Sequence, residues 1–233
     1  MKTMTMITTG WSMVRILGGA LLVVGLAQPA QASFQLESMG VVLEESAGRV
    51  NFSIKNTSSE PILLATKVVD LDGKNFSKSI LVSPPISRIE AGQSQQVNFV
   101  LKQGTVLEHE VMLKASFEGI GQAIDNSTRM PIRQSIGMIV QPKSVAVSKT
   151  PWDDLQVTYE GDKLVVKNTG LHVIRLAPQL VLLPARKSVP LDNYYLMSGE
   201  EKKVKVEGKP TAVEIMPLSR YGFKQDNVTL PVK

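Results

Sequence analysis

Phe52-Ser53-Ile54-Lys55-Asn56-Thr57 and Leu164-Val165-Val166-Lys167-Asn168-Thr169 are the same phrase written twice. In each, a run of strand-forming residues ends in Asn-Thr. An apolar strand follows, Ile62-Leu63-Leu64-Ala65 after the first and Val173-Ile174-Arg175-Leu176-Ala177 after the second. Further on, Ile89-Glu90-Ala91-Gly92-Gln93 precedes a strand over 94–101, and Leu196-Met197-Ser198-Gly199-Glu200 precedes one over 201–206. The chemistry is shared. Asn closes a strand by hydrogen bonding from its side chain to the next turn, and Gly supplies a positive φ. The repeat predicts two similar β-domains. Chance likeness between two β-domains is the competing explanation.

Outward from these stretches, apolar and polar residues keep alternating between turn signals, the pattern of an all-β chain. Val97, Phe99 and Leu101 alternate with Asn98 and Lys102, and Val111, Leu113 and Ala115 with Met112 and Lys114. Met130, Ile132, Ile136, Met138 and Val140 share one parity of a long strand over about 128–140. Turns are marked by Asp72-Gly73, Pro84-Pro85, Gly161-Asp162 and Ser198-Gly199. No window past residue 33 has a sustained helical period with caps. The break between halves falls at Gln141-Pro142-Lys143, giving domains over 33–141 and 142–233, each of normal sandwich size.

Of the 233 residues, 26 are basic and 21 acidic, and none is Cys. Disulfides, thiolate catalysis, iron–sulfur clusters and Cys-ligated zinc are thereby excluded. His109 and His172 are the only histidines and lack ligand spacing, so no metal or other cofactor is expected. Arg15, the apolar stretch Ile16 to Ala27 and Ala30-Gln31-Ala32 read as an export signal cut before Ser33, behind an extra leader over 1–12. A buried helix or a membrane anchor is the alternative reading. Removing 1–32 takes away Lys2, Arg15 and no acid, so the net charge falls from +5 to +3. That mild excess is no nucleic-acid footprint. Export without Cys fits a bacterial periplasm.

The residues now quoted resemble the periplasmic chaperones of the chaperone–usher pathway, which assemble pili on Gram-negative bacteria. Pro84-Pro85-Ile86-Ser87-Arg88-Ile89-Glu90-Ala91-Gly92-Gln93-Ser94 is similar to the family's Pro-Pro…Arg-Leu-x-Pro-Gly segment. Glu108-His109-Glu110-Val111 stands where the family has Asp-Arg-Glu-Ser, Ile136 to Pro142 resembles the end of its G1 strand, and Asn168-Thr169 sits at its Asn-Pro-Thr. The resemblance implies two immunoglobulin-like β-sandwich domains in tandem at an angle. It also implies donor-strand complementation, in which the chaperone lends its G1 strand to a pilus subunit that lacks its last strand and later passes the subunit to an outer-membrane usher. The lent row is then Met130, Ile132 and Ile136, with Gln134 as a polar interruption. Pro131, Arg129 and Arg133 suit an edge strand by limiting uncontrolled pairing. Patterning without the resemblance makes the same strand an ordinary one, its apolar row facing its own core. A bare edge also leaves self-association open.

Two positions depart from the family. Its cations for the subunit's terminal carboxylate, an Arg on strand A1 and a Lys on strand G1, align with Gly40 and Gly137. Arg133 has the parity of the missing Lys and is the substitute anchor expected here, with Lys143 and Arg175 as further cleft candidates. The resemblance also implies an interdomain network of Arg, Glu and Asp. Arg88 and Glu110 match the first two, and Arg220 stands at the third, so either Arg220 pairs with Glu110 or the network is rebuilt. The chain reads as a binding protein and not an enzyme, since no compact set of nucleophile, base and ligand occurs. The competing class is a structural or adhesive immunoglobulin-like surface fibre component.

Overall fold

The structure is a computed structural model that describes residues 33–121 and 130–233. The leader, the signal segment and Arg129 lie outside the described residues. Among those described, helix is confined to two single 3-10 turns, Phe76–Ser79 and Pro151–Asp154. Among the described residues no helix is long and apolar enough to cross a membrane.

The first half is built from β1 (Phe34–Leu36), β2 (Gly40–Glu44), β3 (Arg49–Asn56), β4 (Ile62–Asp70), β5 (Ile80–Ser83), β6 (Ile86–Ile89), β7 (Ser94–Leu101), β8 (Val111–Gly121) and β9 (Ile132–Gln141). They form two sheets, ordered β1-β3-β7-β5 and β2-β9-β8-β4-β6. Period-two alternation decides which side chains meet between them. Phe52 and Phe99 come from the first sheet and Phe117 from the second. Their rings contact pairwise with centroids 5.3–6.5 Å apart. All three are buried, as are Val41, Leu43, Leu64, Val97, Leu113, Met138 and Val140 around them.

The second half runs β10 (Leu155–Glu160), β11 (Lys163–Asn168), β12 (Ile174–Leu176), β13 (Gln179–Leu183), β14 (Lys187–Pro190), β15 (Tyr195–Leu196), β16 (Glu201–Lys205), β17 (Ala212–Ile215), β18 (Pro217–Leu218) and β19 (Val228–Pro231). The sheets are β10-β11-β16, β15-β12-β18 and β14-β13-β17-β19. They close over a second core that includes Trp152, Val157, Leu164, Leu176, Leu180 and Val213. The chain is thus all-β, with a separate core in each half. A smaller apolar cluster joins Met112 of β8 to Val173, Tyr195 and Met197 of the second half.

The repeated phrase has a physical basis. Asn56 Nδ2 donates to the carbonyls of Glu60, at 2.8 Å, and Ile89, at 3.0 Å. Asn168 Nδ2 donates to His172 at 2.8 Å and Leu196 at 3.1 Å. Ile89 and Leu196 are the residues that the sequence repeat places in register. The backbone follows the same rule: Asn56 N–H donates to Gln93 and Asn168 N–H to Glu200, each at 2.9 Å. Gly92 and Gly199 make the intervening turns at φ 73° and 74°, which a side chain would strain. Both asparagines are fully buried, so truncation removes these donors and also the acceptors of the Ser58 and Gly170 N–H groups. Asn56→Ala and Asn168→Ala are each expected to lower the unfolding free energy by about 2–3 kcal/mol. Urea denaturation of the single and double variants checks this, with near-additive losses because the asparagines serve separate cores.

Candidate functional site

Strand β9 has two neighbours along one part of its length and one along the rest. On the β8 side it pairs antiparallel throughout, from Ile132 opposite Gly119 to Val140 opposite Val111. On the other side β2 pairs with it in parallel, and only from Gly40 opposite Gly137 to Glu44 opposite Gln141. Among the described residues, Ile132–Ile136 has no strand on that second side. An unpaired strand edge carries backbone donors and acceptors that a further strand can satisfy.

The side chains divide at the same place. Ile136, Met138 and Val140 point into the first core, Ile136 being only 7% exposed. Ile132, of the same parity, is 37% exposed, and Met130, just before the strand, is 83% exposed. Gln134, between Ile132 and Ile136, turns its amide to the Phe34 carbonyl at 2.8 Å, which satisfies it at the end of the sandwich. The expectation for Ile136 is therefore corrected. It fills its own sandwich and is not available to a partner, whereas Met130 and Ile132 run past the core.

Arg133 also departs from its expected role. Its guanidinium is held by Glu118 on the neighbouring strand, with Nε donating to Oε2 at 2.7 Å and Nη2 to the same oxygen. Register explains the pair, since Glu118 lies directly opposite Arg133 on one face of the sheet. A cation already matched in this way is a poor anchor for a partner's carboxylate. Lys143 is likewise matched, with Nζ 3.7 Å from Glu45.

Glu110 stands where the chain enters β8 and is 2% exposed. One carboxylate oxygen accepts from the Val173 N–H at 2.9 Å and the other from Arg220 Nη2 at 3.3 Å. Its own N–H donates to the Leu171 carbonyl at 2.8 Å. The Arg220–Glu110 pair is present, and Arg220 donates also to Gln141 at the end of β9. Arg88 does not join this network. It lies on β6, at the far edge of the sheet from β2, and pairs with Glu90 two residues on, at 2.7 Å. The exposed Glu90 raises the Arg88 pKa through that hydrogen bond and its charge.

Comparison with known proteins bears on this arrangement. Residues 33–146 match the family model described as "Pili and flagellar-assembly chaperone, PapD N-terminal domain". The chain is 32% identical over 200 residues to the uncharacterized fimbrial chaperone YhcA of Escherichia coli (strain K12), covering 84% of this chain and 89% of that one. It belongs to the fimbrial chaperone family. Among solved structures, the SafB chaperone of Salmonella enterica, crystallised with the SafA pilin, is similar with a TM-score of 0.73 and 20% identity over 88% of this chain and 98% of that one. The YadV chaperone is similar with a TM-score of 0.70 and 17% identity, over 85% and 100%. Both show the two-domain fold.

In this chaperone the two departing glycines lie in crowded space. Gly40 and Gly137 are direct neighbours across the β2–β9 pair. A Cβ on Gly40 lies 3.0 Å from Tyr221 Cα, and one on Gly137 lies 2.7 Å from Met112 Cε and 3.4 Å from Arg175 Nη2. Backbone of the second half therefore crowds a side chain at residue 40, whereas at residue 137 the obstacle is the end of the Met112 side chain from β8. Glu110 is what ties that half down, and its loss leaves the Val173 N–H and Arg220 without their acceptor. Glu110→Ala is expected to destabilise the protein by about 2–4 kcal/mol, because a buried donor and a half-buried cation lose their partner. Glu110→Gln is expected to cost less, since it keeps an acceptor for Val173. Thermal unfolding of the pair of variants checks the difference, and an unchanged midpoint for Glu110→Ala contradicts the linking role.

Proposed function

We propose that this chain is a periplasmic pilus-assembly chaperone that holds a fimbrial subunit by donor-strand complementation along Ile132–Ile136 and delivers it to an outer-membrane usher. The observation that carries the reading is the half-paired strand. The edge left unpaired among the described residues offers ladder hydrogen bonds, and Met130 and Ile132 stand exposed beside it. An immunoglobulin-like subunit lacking its last strand exposes an apolar groove and unpaired backbone, both costly in water. A lent strand answers both needs at once. Each buried aliphatic side chain contributes ~1.5–3 kcal/mol, so Met130 and Ile132 already provide useful affinity alongside the backbone bonds. Nothing in this scheme requires catalysis, because the subunit later exchanges the lent strand for a neighbour's.

The same reading includes export by residues 1–32, with cleavage before Ser33, and a division into a subunit-binding domain over 33–141 and a second domain over 142–233. The two separate cores support that division. The crystallised SafB–SafA pair supports capture of a pilin by a chaperone of this fold.

Co-expression with a fimbrial subunit that is degraded when made alone tests the reading. The expected product is a soluble one-to-one complex. Ile132→Asp is expected to abolish the complex while leaving the free protein's circular dichroism and melting unchanged, because the charge is desolvated only when the subunit is present. Filaments formed by the chain without any subunit speak for a surface fibre component instead. A misfolded Ile132→Asp variant places Ile132 in the protein's own core and ends the donor-strand reading.

A further inference from the structure

The chain contains no cysteine, so the sulfur it offers to an oxidant is thioether sulfur alone. Six methionines follow residue 32, and the fold divides them sharply. Met112 and Met138 are fully buried and Met197 is 4% exposed, all three held in apolar clusters. Met216 is half-buried. Met39 is 63% exposed and Met130 83%. Oxygen transfer requires the oxidant to touch Sδ, so a peroxide in solution reaches Met39 and Met130 ahead of the others.

The two open thioethers differ in place. Met39 lies in the bend just before β2 begins at Gly40. Met130 lies just before β9, with the parity of Ile132, on the segment that has β8 alone as a neighbour among the described residues. An unbranched thioether side chain adapts well to an uneven apolar groove. The same sulfur is a nucleophile. An oxidant of the peroxide class transfers one oxygen to Met130 Sδ: the O–O bond breaks, an S–O bond forms, sulfur loses two electrons, and hydrogen peroxide leaves as water. The sulfoxide is uncharged but polar. On the free chain it stands in water and touches neither core. Buried in an apolar groove it finds no donor, and its desolvation opposes binding. A subunit already in place covers Met130 and keeps the oxidant away.

Resting on the donor-strand reading above, we infer that Met130 is an oxidation site that governs loading. Peroxide converts it to the sulfoxide in the unloaded chaperone, which stays folded and loses its hold on new subunits, while chaperone that already carries a subunit is spared. Reduction of the sulfoxide returns the chain to service. Met39 is the built-in comparison: a thioether of similar access that stands outside the lent row.

A fimbrial subunit captured in co-expression, unfolded in urea and diluted into the chaperone, provides the assay. Size-exclusion chromatography reads the soluble complex, and peptide mass spectrometry reads the sulfoxide. Limited hydrogen peroxide treatment of the free chain is expected to oxidise Met130 and Met39 before the other methionines and to leave circular dichroism and melting unchanged. It is expected to raise the chaperone concentration needed for half-maximal capture about tenfold. Methionine sulfoxide reductases for both epimers, with a thiol reductant, are expected to restore capture. Met39→Leu is expected to lose capture on treatment as wild type does. Met130→Leu, compared with its own untreated sample, is expected to lose none. Met130→Gln, polar and of similar length, is expected to capture weakly without any oxidant. In the preformed complex Met130 is expected to stay reduced. Capture that persists when Met130 is fully oxidised overturns the inference, as does a loss that Met39→Leu prevents or that unfolding accompanies. Equal oxidation of Met130 in free and loaded chaperone also overturns it. Failure of the donor-strand reading looks different: untreated Ile132→Asp then captures the subunit as wild type does, whatever the state of Met130.

Discussion

Strand β2 begins at Gly40, and that one boundary organises the rest of the molecule. Beyond it, β9 has backbone partners on both sides and its alternate residues complete a core. Before it, among the described residues, the same strand has β8 alone, and its alternate residues Met130 and Ile132 are exposed. A ladder held on two sides along half its length fixes the direction and register of the other half. The exposed half is thus presented in extended form, with much of the ordering cost of a binding segment already met by the fold.

The halves of the chain are tied along the part of β9 that lies past that boundary. Glu110 spends both carboxylate oxygens on the second half, one on the Val173 N–H and one on Arg220, while Arg220 also reaches Gln141 at the far end of β9. The apolar cluster of Met112, Val173, Tyr195 and Met197 lies against the same joint. Polar and apolar contacts reinforce each other there: the cluster excludes water, which strengthens the charged hydrogen bonds beside it.

Much of this was legible in the residues. The Asn-Thr repeat located both sandwiches because the asparagine performs one task in each, bridging its own turn and the carbonyl of Ile89 or Leu196. The Arg220–Glu110 pair was legible only through the family resemblance, which sets Arg220 where an Asp of the interdomain network is expected. The limit of the donor row was not. Period-two alternation reports which face a residue is on and is silent about where the opposing sheet ends, so Ile136 and Ile132 looked equivalent. Arg133 failed for a related reason: its partner Glu118 lies across the sheet, and single-strand parity cannot see a cross-strand neighbour. Arg88 failed because Glu90, two residues away on the same face, was the nearer acid.

The bare Cα atoms at Gly40 and Gly137 do not tolerate substitution equally. The backbone at Tyr221 sits where a side chain on residue 40 would begin, and Met112 and Arg175 crowd the space over residue 137. A side chain on residue 40 and the Tyr221 backbone seated as it is here compete for the same space, whereas at residue 137 the Met112 methyl can swing aside. Exchange at the first position therefore moves main chain in the other half, and exchange at the second moves only the end of a side chain.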